Sequence, residues 1–328
     1  MTTYREGQGY RIKLVDSDPD NAKVGQVWYN STELKIKGKL SVPASWASGG
    51  NLNTNKTGTA GVGTQTAGLA FGGLAPPPTN NLSGTTEEYN GSSWSEQNDL
   101  NTARQGLGGT GTQTAGLAFG GRFEAPDTLK DETEEYNGTS WSEQNNLSTA
   151  RINPGSAGTQ TAGLAFGGEA SPGNTAETEE YGGTSWTAGG DMNTGRQNTE
   201  GAGTQTAALG FGGYVGGASA LTEEYNGTSW SASNNMGTAR YSLAGGGTQT
   251  AAIAFGGDPG RKADTELYDG TSWTTTTNLT NGRSALGAAN AAPNSASLAF
   301  GGRTGTVAVV LTEEFTGLTE PVRSFDVS

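Results

Sequence analysis

The sequence predicts an all-β protein, a six-bladed β-propeller with four-stranded blades whose ring is closed by an outer strand from the N-terminal part of the chain. Three observations predict this fold. A segment ending in phenylalanine recurs six times, at intervals of 44 to 48 residues. Each interval contains short segments with the alternation typical of β-strands. The last interval lacks the tryptophan of the others, and an unpaired tryptophan occurs near the N-terminus instead.

Each repeat contains three recognisable elements. Close copies of Gly-Thr-Gln-Thr-Ala-Gly-Leu-Ala-Phe-Gly-Gly place their aromatic residue at Phe71, Phe119, Phe166, Phe211, Phe255 and Phe300. The segment Thr-Glu-Glu-Tyr-Asn-Gly-x-Ser-Trp, or a variant of it, ends at Trp94, Trp141, Trp186, Trp230 and Trp273. A third element, Asn-Thr-Ala-Arg or similar, ends at Arg104, Arg151, Arg196, Arg240 and Arg283.

The spacing of these elements is nearly constant. Each of these tryptophans precedes its arginine by ten positions, and the arginine precedes the next phenylalanine by fifteen in four repeats and by seventeen in the last. Only the stretch from the phenylalanine to the next aromatic residue varies, between 13 and 18 residues. Insertions are therefore expected in one loop per blade, where they leave the sheets undisturbed.

The ends of the chain predict how the ring closes. The sixth repeat has Phe300 and the strand Thr312-Glu-Glu-Phe315, but no tryptophan follows it. Trp46 has the missing spacing, because Lys56 lies ten residues after it and Phe71 fifteen residues further on. We therefore expect residues 41–317 to form the propeller, with the outer strand of the last blade supplied by residues near 41–48.

The strands of one blade follow in order. The first comes after the arginine and is built of small residues that suit the crowded axis. The second alternates large and small residues, with Leu69 and Phe71 on one face. The third reads Thr-Glu-Glu-Tyr, and Asn90-Gly91 is typical of a tight type I′ turn to the fourth strand, which carries the tryptophan.

Composition and charge exclude several classes of function. The chain has no cysteine and no histidine, which removes disulfides, thiolate metal sites and histidine-dependent catalysis. We expect no cofactor, no metal and no enzymatic activity. The net charge is −13, which argues against binding to nucleic acid. No apolar run is long enough to insert in a membrane, and the first residues lack the apolar core of a signal peptide.

Four repeated residue types are interpreted as parts of the frame, by which we mean the repeated scaffold of the blades. The Glu-Glu pairs, such as Glu87-Glu88, are predicted to be solvated strand residues that supply negative surface charge, because neighbours on a strand point to opposite faces. The arginines are expected to bond loop carbonyls or to pack between blades, and the tyrosines and tryptophans to pack between blades. The alternatives, a ring of ligand-binding arginines and aromatic platforms for sugars, are less favoured.

These residues resemble the kelch motif, in which an apolar strand ends in paired glycines and is followed by a tyrosine, a tryptophan and an arginine. The resemblance covers about residues 41–317. The Thr/Gly/Asn-rich repeat is also similar to kelch-like virion proteins of marine tailed phages, particularly cyanophages. The leader segment Lys23-Val-Gly-Gln-Val-Trp-Tyr-Asn-Ser-Thr resembles short N-terminal modules of phage structural proteins.

The loops between second and third strands are the first candidate binding region. Their sequences differ completely between repeats although their flanks are nearly identical, and the kelch resemblance implies that they gather on one face and carry ligand contacts. Aromatic and basic side chains are common interface anchors. The candidate binding residues are Arg122, Phe123, Tyr214, Arg261, Lys262 and Arg303. The alternative is loop variation without function.

The leader, residues 1–40, is the second candidate region. Its alternating segments predict a β-hairpin or a three-stranded piece that is too small to bury a core of its own. We expect it to attach the protein to another surface, although a cap on the propeller is an open alternative. The candidate anchoring residues are Tyr10, Ile12, Val27, Trp28 and Tyr29. Residues 318–328 are predicted to be a C-terminal tail.

The resemblance implies a non-enzymatic phage virion structural protein, either a tail-fibre adhesion (receptor-binding) protein or a capsid decoration. Its partners would be other virion proteins through the leader and a host surface glycan or protein through the loops. It would be assembled in the host cytoplasm and located in the virion. The alternatives are a kelch-type protein–protein interaction module of non-virion origin and, less favoured, a glycan-active enzyme.

Overall fold

The structure is a computed structural model that describes residues 4–7, 10–75, 81–124, 127–291 and 293–325. The elements in this part of the chain are all β-strands. Among the described residues, no helix has the length and apolarity needed to span a membrane. The chain divides into two units, Trp46–Thr316 and a smaller one made of Met1–Ser45 with Gly317–Ser328.

Six four-stranded antiparallel sheets form the blades of the propeller and confirm the predicted fold class. From inner to outer strand, blade 1 is Ala60–Thr64, Ala67–Phe71, Thr86–Tyr89 and Trp94–Gln97; blade 2 is Gly108–Thr112, Ala115–Phe119, Thr133–Tyr136 and Trp141–Gln144; blade 3 is Gly155–Thr159, Ala162–Phe166, Thr178–Tyr181 and Trp186–Ala188. Blade 4 is Glu200–Thr204, Ala207–Phe211, Thr222–Tyr225 and Trp230–Ser233; blade 5 is Ala244–Thr248, Ala251–Phe255, Thr265–Tyr268 and Trp273–Thr275; blade 6 is Gly287–Ala288, Ala296–Phe300, Thr312–Thr316 and Ser45–Ser48.

Three of the variable loops contain small hairpins of their own. They connect the second and third strands of blades 2, 3 and 6. Their strands are Arg122–Glu124 with Asp127–Leu129, Glu169–Ala170 with Gly173–Asn174, and Arg303–Thr304 with Val307–Ala308. The length variation read from the sequence is therefore taken up outside the four-stranded sheets.

Trp46 closes the ring, as its spacing predicts. Its strand, Ser45–Ser48, is the outer neighbour of Thr312–Thr316 in the sixth sheet. The indole Nε1 donates to Thr265 Oγ1 at 3.1 Å, and the ring packs edge-on against Phe255 at 4.9 Å between centroids. These contacts join blade 6 to blade 5 through a residue from the start of the chain.

The other tryptophans of the propeller make the same pair of contacts to the preceding blade. Trp141 Nε1 in blade 2 donates to Thr86 Oγ1 at 2.9 Å, and its ring lies 4.8 Å from that of Phe71 in blade 1. Equivalent contacts are made by Trp94, Trp186, Trp230 and Trp273. The predicted packing of tryptophans between blades is confirmed.

The first glutamate of each Glu-Glu pair is buried, so the prediction of solvated pairs is wrong. Arg104 Nη1 donates to the carbonyls of Gly120 and Glu132 at 3.0 and 2.6 Å, and its Nη2 pairs with Glu134 at 3.1 Å. Both side chains are fully buried. The predicted arginine–carbonyl bonds are confirmed, but the arginine also needs a carboxylate in the low-polarity interior. Equivalent pairs are Lys56–Glu87, Arg151–Glu179, Arg196–Glu223, Arg240–Glu266 and Arg283–Glu313.

The second glutamate of the pair bonds a tyrosine of the next blade. Tyr136 in blade 2 donates its hydroxyl to Glu88 in blade 1 at 3.0 Å. Tyr225 makes the same bond to Glu180, and burial together with that carboxylate raises the pKa of Tyr225 to about 12. These phenols therefore remain protonated donors. Both members of the acidic pair serve the frame.

The turn after the third strand differs from the predicted type I′ turn. Tyr89 and Trp94 are paired across the hairpin, so four residues connect them rather than two. Asn90 Oδ1 accepts from the backbone N–H groups of Ser92 and Ser93, both at 3.0 Å. The asparagine organises the turn through its side chain, and only Gly91 has a positive φ there, of 89°.

The smaller unit is a five-stranded sheet, not the predicted hairpin or three-stranded piece with a separate tail. Its strands, in spatial order, are Tyr4–Gly7, Tyr10–Val15, Val27–Asn30, Lys35–Lys39 and Val322–Phe325. The second and third of these strands pair in parallel, which requires a long connection instead of a tight turn. Residues 16–26 supply that connection. The last strand pairs antiparallel with Lys35–Lys39.

Trp28 is fully buried in this sheet, so its prediction as an anchoring residue is wrong. Its Nε1 donates to Asp18 Oδ1 at 3.0 Å, and Lys37 Nζ pairs with Asp18 Oδ2 at 2.7 Å. Hydrogen bonds from Lys37, Asn30 and Trp28 lower the pKa of Asp18 to about 2. Trp28 is therefore buried against a polar cluster of its own unit and is not available to contact another protein.

The other predicted anchoring residues lie elsewhere in the sheet. Leu14 pairs with Tyr29 and Tyr29 with Ile36, so these three side chains share one face. Ile12 and Val27 lie on the same face by alternation, and Val27 is 39% exposed. The side chain of Tyr10 lies outside the described residues. This partly exposed apolar face retains the predicted anchoring role as an expectation.

Candidate functional site

The variable loops all lie at one end of the propeller. In each blade, a residue before the inner strand pairs with the first residues after the second strand. These pairs are Thr57–Leu74, Gln105–Arg122, Ile152–Glu169, Gln197–Tyr214, Tyr241–Asp258 and Ser284–Arg303. We call the end formed by the described residues of the second-to-third-strand loops (72–75 and 81–85, 120–124 and 127–132, 167–177, 212–221, 256–264 and 301–311) the loop face.

The hairpin of blade 2 presents the first two predicted binding residues. Phe123 is 41% exposed, and Lys130 Nζ lies 5.7 Å from the centroid of its ring. Arg122 is partly buried and pairs through its backbone with Gln105. An aromatic ring with a cation above it is an amphipathic contact point of the kind found at interfaces.

Tyr214 connects three blades on the loop face. Its ring packs edge-on against that of Tyr241 at 5.4 Å, and its carbonyl accepts from Asn174 Nδ2 at 2.7 Å. The loops of blades 3 and 4 and the start of blade 5 are therefore held together here. Tyr214 has a structural role in addition to its predicted place on the surface.

Three basic residues lie on the neighbouring loops of blades 5 and 6. Arg303 Nη2 pairs with Asp258 Oδ2 at 3.4 Å, and its Nε donates to Ser284 Oγ at 3.3 Å. The other oxygen of Asp258 accepts from the backbone N–H of Arg261 at 3.1 Å. Lys262 follows Arg261 in the same loop and is partly exposed. Asp258 thus organises a basic cluster, Arg261–Lys262–Arg303.

The accessible positive charge of the propeller is confined to the loop face. The unit Trp46–Thr316 has eleven lysines and arginines. Six are the buried frame cations, Lys56, Arg104, Arg151, Arg196, Arg240 and Arg283. The other five are Arg122, Lys130, Arg261, Lys262 and Arg303. Outside the loop face, the acids not paired with a frame cation are Glu88, Glu96, Asp99, Glu135, Glu143, Glu180, Asp191, Glu200, Glu224, Asp269 and Glu314.

Exposed apolar side chains follow the same distribution. Among the described residues of the propeller unit, the exposed large hydrophobic residues are Phe123, Val215 and Val307, at 41%, 43% and 56%. They lie in the loops of blades 2, 4 and 6, every second blade around the ring. The loop face therefore combines exposed apolar side chains with the accessible cations. It also contains eight acidic residues, so it differs from the rest of the propeller surface by its cations and apolar side chains and not by a lack of acids.

A ring of backbone hydrogen bonds surrounds the axis at the centre of the loop face. One residue per blade has a positive φ between 50° and 62°, and each donates its N–H to the carbonyl of its counterpart in the preceding blade. The N–H of Gly58 donates to the carbonyl of Ala285 at 2.9 Å, which completes the circle between blades 1 and 6. The ring consists of Gly58, Gly106, Asn153, Asn198, Ser242 and Ala285.

Below this ring lies a cavity that we call the axial pocket. It comprises a space of about 100 Å³ at the ring and about 70 Å³ deeper, lined by Leu107, Pro154, Thr199, Glu200, Leu243 and Leu286 among others. Asn290 Nδ2 and Ser156 Oγ both donate to the carbonyl of Gly109, at 2.7 and 2.8 Å, and form its floor. A separate cavity of about 230 Å³ opens beyond the floor.

Glu200 lines the axial pocket at a position where the other blades have only glycine or alanine. It pairs with Phe211, and the residues paired with the equivalent phenylalanines are Ala60, Gly108, Gly155, Ala244 and Gly287. Its Oε1 accepts from the N–H of Gly201 at 3.2 Å. Burial raises the pKa of Glu200 to about 8, which that hydrogen bond only partly offsets. The residues lining the pocket include no other charged side chain.

Glu200→Gln is expected to remove a loss of stability that the natural protein shows with rising pH. The pKa of Glu200 is raised from 4.5 to about 8, so the folded protein holds a proton in this range that the unfolded chain releases. Stability therefore falls as pH rises between these values and is constant above them. Because Glu200 has some access to water, we expect the free energy of unfolding of the natural protein to fall by only about 2 kcal/mol over this pH range.

Chemical denaturation of both proteins between about pH 5 and about pH 9 measures this difference. Glu200→Ala serves as the matched control, since Ala60 and Ala244 occupy the equivalent positions in blades 1 and 5. Parallel pH curves for the natural protein and both variants would contradict the prediction.

The axial residues were not identified from the sequence, although two signals pointed to them. Glu200 is the one charged residue at a position otherwise occupied by small ones. Asn290 lies in the sixth repeat, where seventeen residues rather than fifteen separate Arg283 from Phe300. The two extra residues lengthen the segment that carries Asn290 to the floor of the pocket.

Comparison with known proteins supports the fold. No protein-family model matches the chain, and no curated protein matches it. Among solved structures, the chain is similar to one titled "Structure of YjhT", with a TM-score of 0.67 and 13% sequence identity over 83% of this chain and 99% of that one. YjhT is a kelch-type propeller. At this identity the similarity shows the fold alone.

Proposed function

We propose that this chain is a non-enzymatic binding protein whose loop face contacts a partner, and that its setting is the virion of a tailed phage. The observation that carries the binding role is the confinement of the accessible cations and exposed apolar side chains of the propeller to the loop face. Surfaces that combine aromatic, aliphatic and basic side chains are typical of interfaces. In the described part of the propeller, the repeated arginines, glutamates, tyrosines and tryptophans are bonded within and between the blades.

The virion setting is supported by the sequence. The repeated phrase and the leader are similar to segments of phage virion proteins. In this setting, the smaller unit attaches the protein to other virion proteins through the apolar face that carries Val27 and Tyr29, and the loop face contacts a host surface glycan or protein as a tail-fibre adhesion or a head decoration does. A kelch-type interaction module outside any virion is the second candidate, and the same loop face supports it.

Replacing the three exposed apolar side chains of the loop face, Phe123, Val215 and Val307, is expected to weaken partner binding at least tenfold. Each replacement removes apolar area that would be buried against the partner. The variant is Phe123→Ser with Val215→Ser and Val307→Ser. Binding to intact host cells is measured with the labelled protein. The matched control is Glu96→Gln with Glu143→Gln, since these exposed acids lie on outer strands away from the loops. Equal binding by both variants would contradict the loop-face proposal.

The virion setting has its own test, independent of the loops. Intact particles are purified by density gradient, and their proteins are identified by mass spectrometry. We expect the chain in the particles at a stoichiometry typical of a structural protein. Its absence from particles, together with its presence in the soluble lysate, would favour the non-virion module instead.

A further inference from the structure

We propose that the axial pocket binds a primary alkylammonium group, with the ammonium against the carboxylate of Glu200 and the carbon chain against the leucines of the pocket wall. This inference goes beyond the proposed function and does not depend on it. The pocket is formed by the inner strands and the axial ring, whereas the loop-face partner is contacted by the loops.

The charge of the pocket indicates a cation. Glu200 is the one charged residue that lines it, and its hydrogen-bonded neighbour is the backbone of Gly201. Glu200 is partly buried and has no cationic partner, and a carboxylate partly withdrawn from water is stabilised by a bound cation. The frame does not require an acid here, because five blades are built with glycine or alanine at this position.

The composition of the wall selects an alkylammonium over a metal ion. Calcium takes about six to eight oxygen ligands and magnesium about six in a nearly ideal octahedron. The pocket offers one carboxylate among neutral polar groups, and those at its floor, Asn290, Ser156 and the carbonyl of Gly109, already bond one another. Leu107, Leu243 and Leu286 line its upper part, one from each of three blades, and are almost fully buried. An alkyl chain gains from contact with such side chains, and a hydrated ion does not.

The size of the pocket limits the ligand to a narrow group. Its two spaces of about 100 and 70 Å³ are well below the volume of a site for a drug-sized molecule. The axial ring surrounds the entrance, and Asn290 and Ser156 close the floor. A linear group entering along the axis fits this shape. The group could be a free amine or the side chain of a lysine on a partner at the loop face.

Isothermal titration calorimetry with n-butylammonium tests the proposal on the full-length protein. We expect saturable binding that strengthens about tenfold from about pH 7 to about pH 9, because the carboxyl of Glu200 must ionise to pair with the ligand, which keeps its own proton in this range. Glu200→Gln and Glu200→Ala should each abolish binding while remaining folded. Undiminished binding by both variants would overturn the proposal.

Three further titrations identify what is recognised. Potassium ions and n-butanol each carry one half of the ligand chemistry, and we expect both to bind at least tenfold more weakly than n-butylammonium. Potassium binding of equal strength would overturn the proposal. Binding of Nα-acetyl-lysine amide as well assigns the site to lysine side chains, whereas its failure to bind assigns the site to free amines. The variant with Phe123→Ser, Val215→Ser and Val307→Ser should retain n-butylammonium binding. This result would separate the axial pocket from the site of the loop-face partner.

Discussion

Arg104→Met is expected to lower the free energy of unfolding by about 3–5 kcal/mol, because removing one partner leaves the other as an uncompensated buried charge. Glu134 would lose its ion pair at 1% side-chain exposure. The carbonyls of Gly120 and Glu132, at the two ends of the loop between the second and third strands, would also lose this donor. Chemical denaturation followed by tryptophan fluorescence measures the change.

Two comparisons make this prediction specific to the buried pair. Lys130→Met breaks the accessible pair with Glu132 in the same blade, and we expect an effect within about 1 kcal/mol. Adding Glu134→Gln to Arg104→Met should recover part of the loss, since a neutral amide replaces the unpaired carboxylate. If Arg104→Met lowers the free energy of unfolding no more than Lys130→Met does, the buried arginine is dispensable for stability.

Blade 1 provides a natural variant of the same pair. Lys56 occupies the arginine position, pairs with Glu87 at 3.2 Å and donates to Thr85 Oγ1 at 3.1 Å. A lysine is thus tolerated where a threonine hydroxyl offers an additional acceptor. Other blades have Glu132, Glu177, Leu221, Asp264 or Leu311 at that position, so Arg104→Lys should cost less than Arg104→Met but should still be destabilising.

The sheets could be predicted from the sequence because the period fixes them. Each strand of a blade is identified by alternation, and the constant spacing from tryptophan to arginine leaves no room for another element. The same spacing identified Trp46 as the missing sixth tryptophan, and its contacts with Phe255 and Thr265 confirm this. Local regularity was sufficient for all of these predictions.

The roles of the glutamates could not be read from local pattern. Glu134 alternates with Glu135 on a strand, which indicates opposite faces but not which face is covered. The partner of Glu134 lies thirty residues earlier, in the segment leading into the blade, and that of Glu135 is Tyr181 in the next blade. Burial of a charged residue depends on such distant partners, and the pattern of charges alone favoured solvent.

The leader and the axial pocket were missed for a related reason. The leader strand Lys35–Lys39 pairs with Val322–Phe325, more than 280 residues away. The alternation of a short segment indicates a strand but does not identify such a distant partner. The pocket is assembled from the inner strands of several blades, so no contiguous motif describes it. Departures from the repeat, at Glu200 and Asn290, were the available signal.

Trp46→Ala is expected to destabilise the propeller by about 3–5 kcal/mol, the usual cost of removing a buried tryptophan side chain. The variant loses the packing against Phe255 and the hydrogen bond to Thr265. Trp141→Ala is the matched control, since that residue makes the equivalent contacts in blade 2. If the packing of the indole ring alone determines the loss, chemical denaturation should give similar decreases in the free energy of unfolding for the two variants.

The two positions differ in how their strands are held. The strand of Trp141 follows its neighbour through a four-residue turn, whereas Ser45–Ser48 pairs with Thr312–Thr316, from the other end of the chain. We therefore expect amide hydrogen exchange in Trp46→Ala to accelerate selectively in these two strands, and in Trp141→Ala to change little beyond the global effect.

The rest of the ring should stay closed in Trp46→Ala, because several other contacts join blade 1 to blade 6, among them the packing of Trp94 on Phe300. Gly58 donates its N–H to the carbonyl of Ala285 at 2.9 Å, and Gln65 Nε2 donates to the carbonyl of Phe315 at 2.7 Å. Faster exchange in all six blades would mean that the outer strand alone holds the ring together. Exchange confined to Ser45–Ser48 and Thr312–Thr316 would instead assign closure to the contacts between blades 1 and 6, with Trp46 securing the last strand.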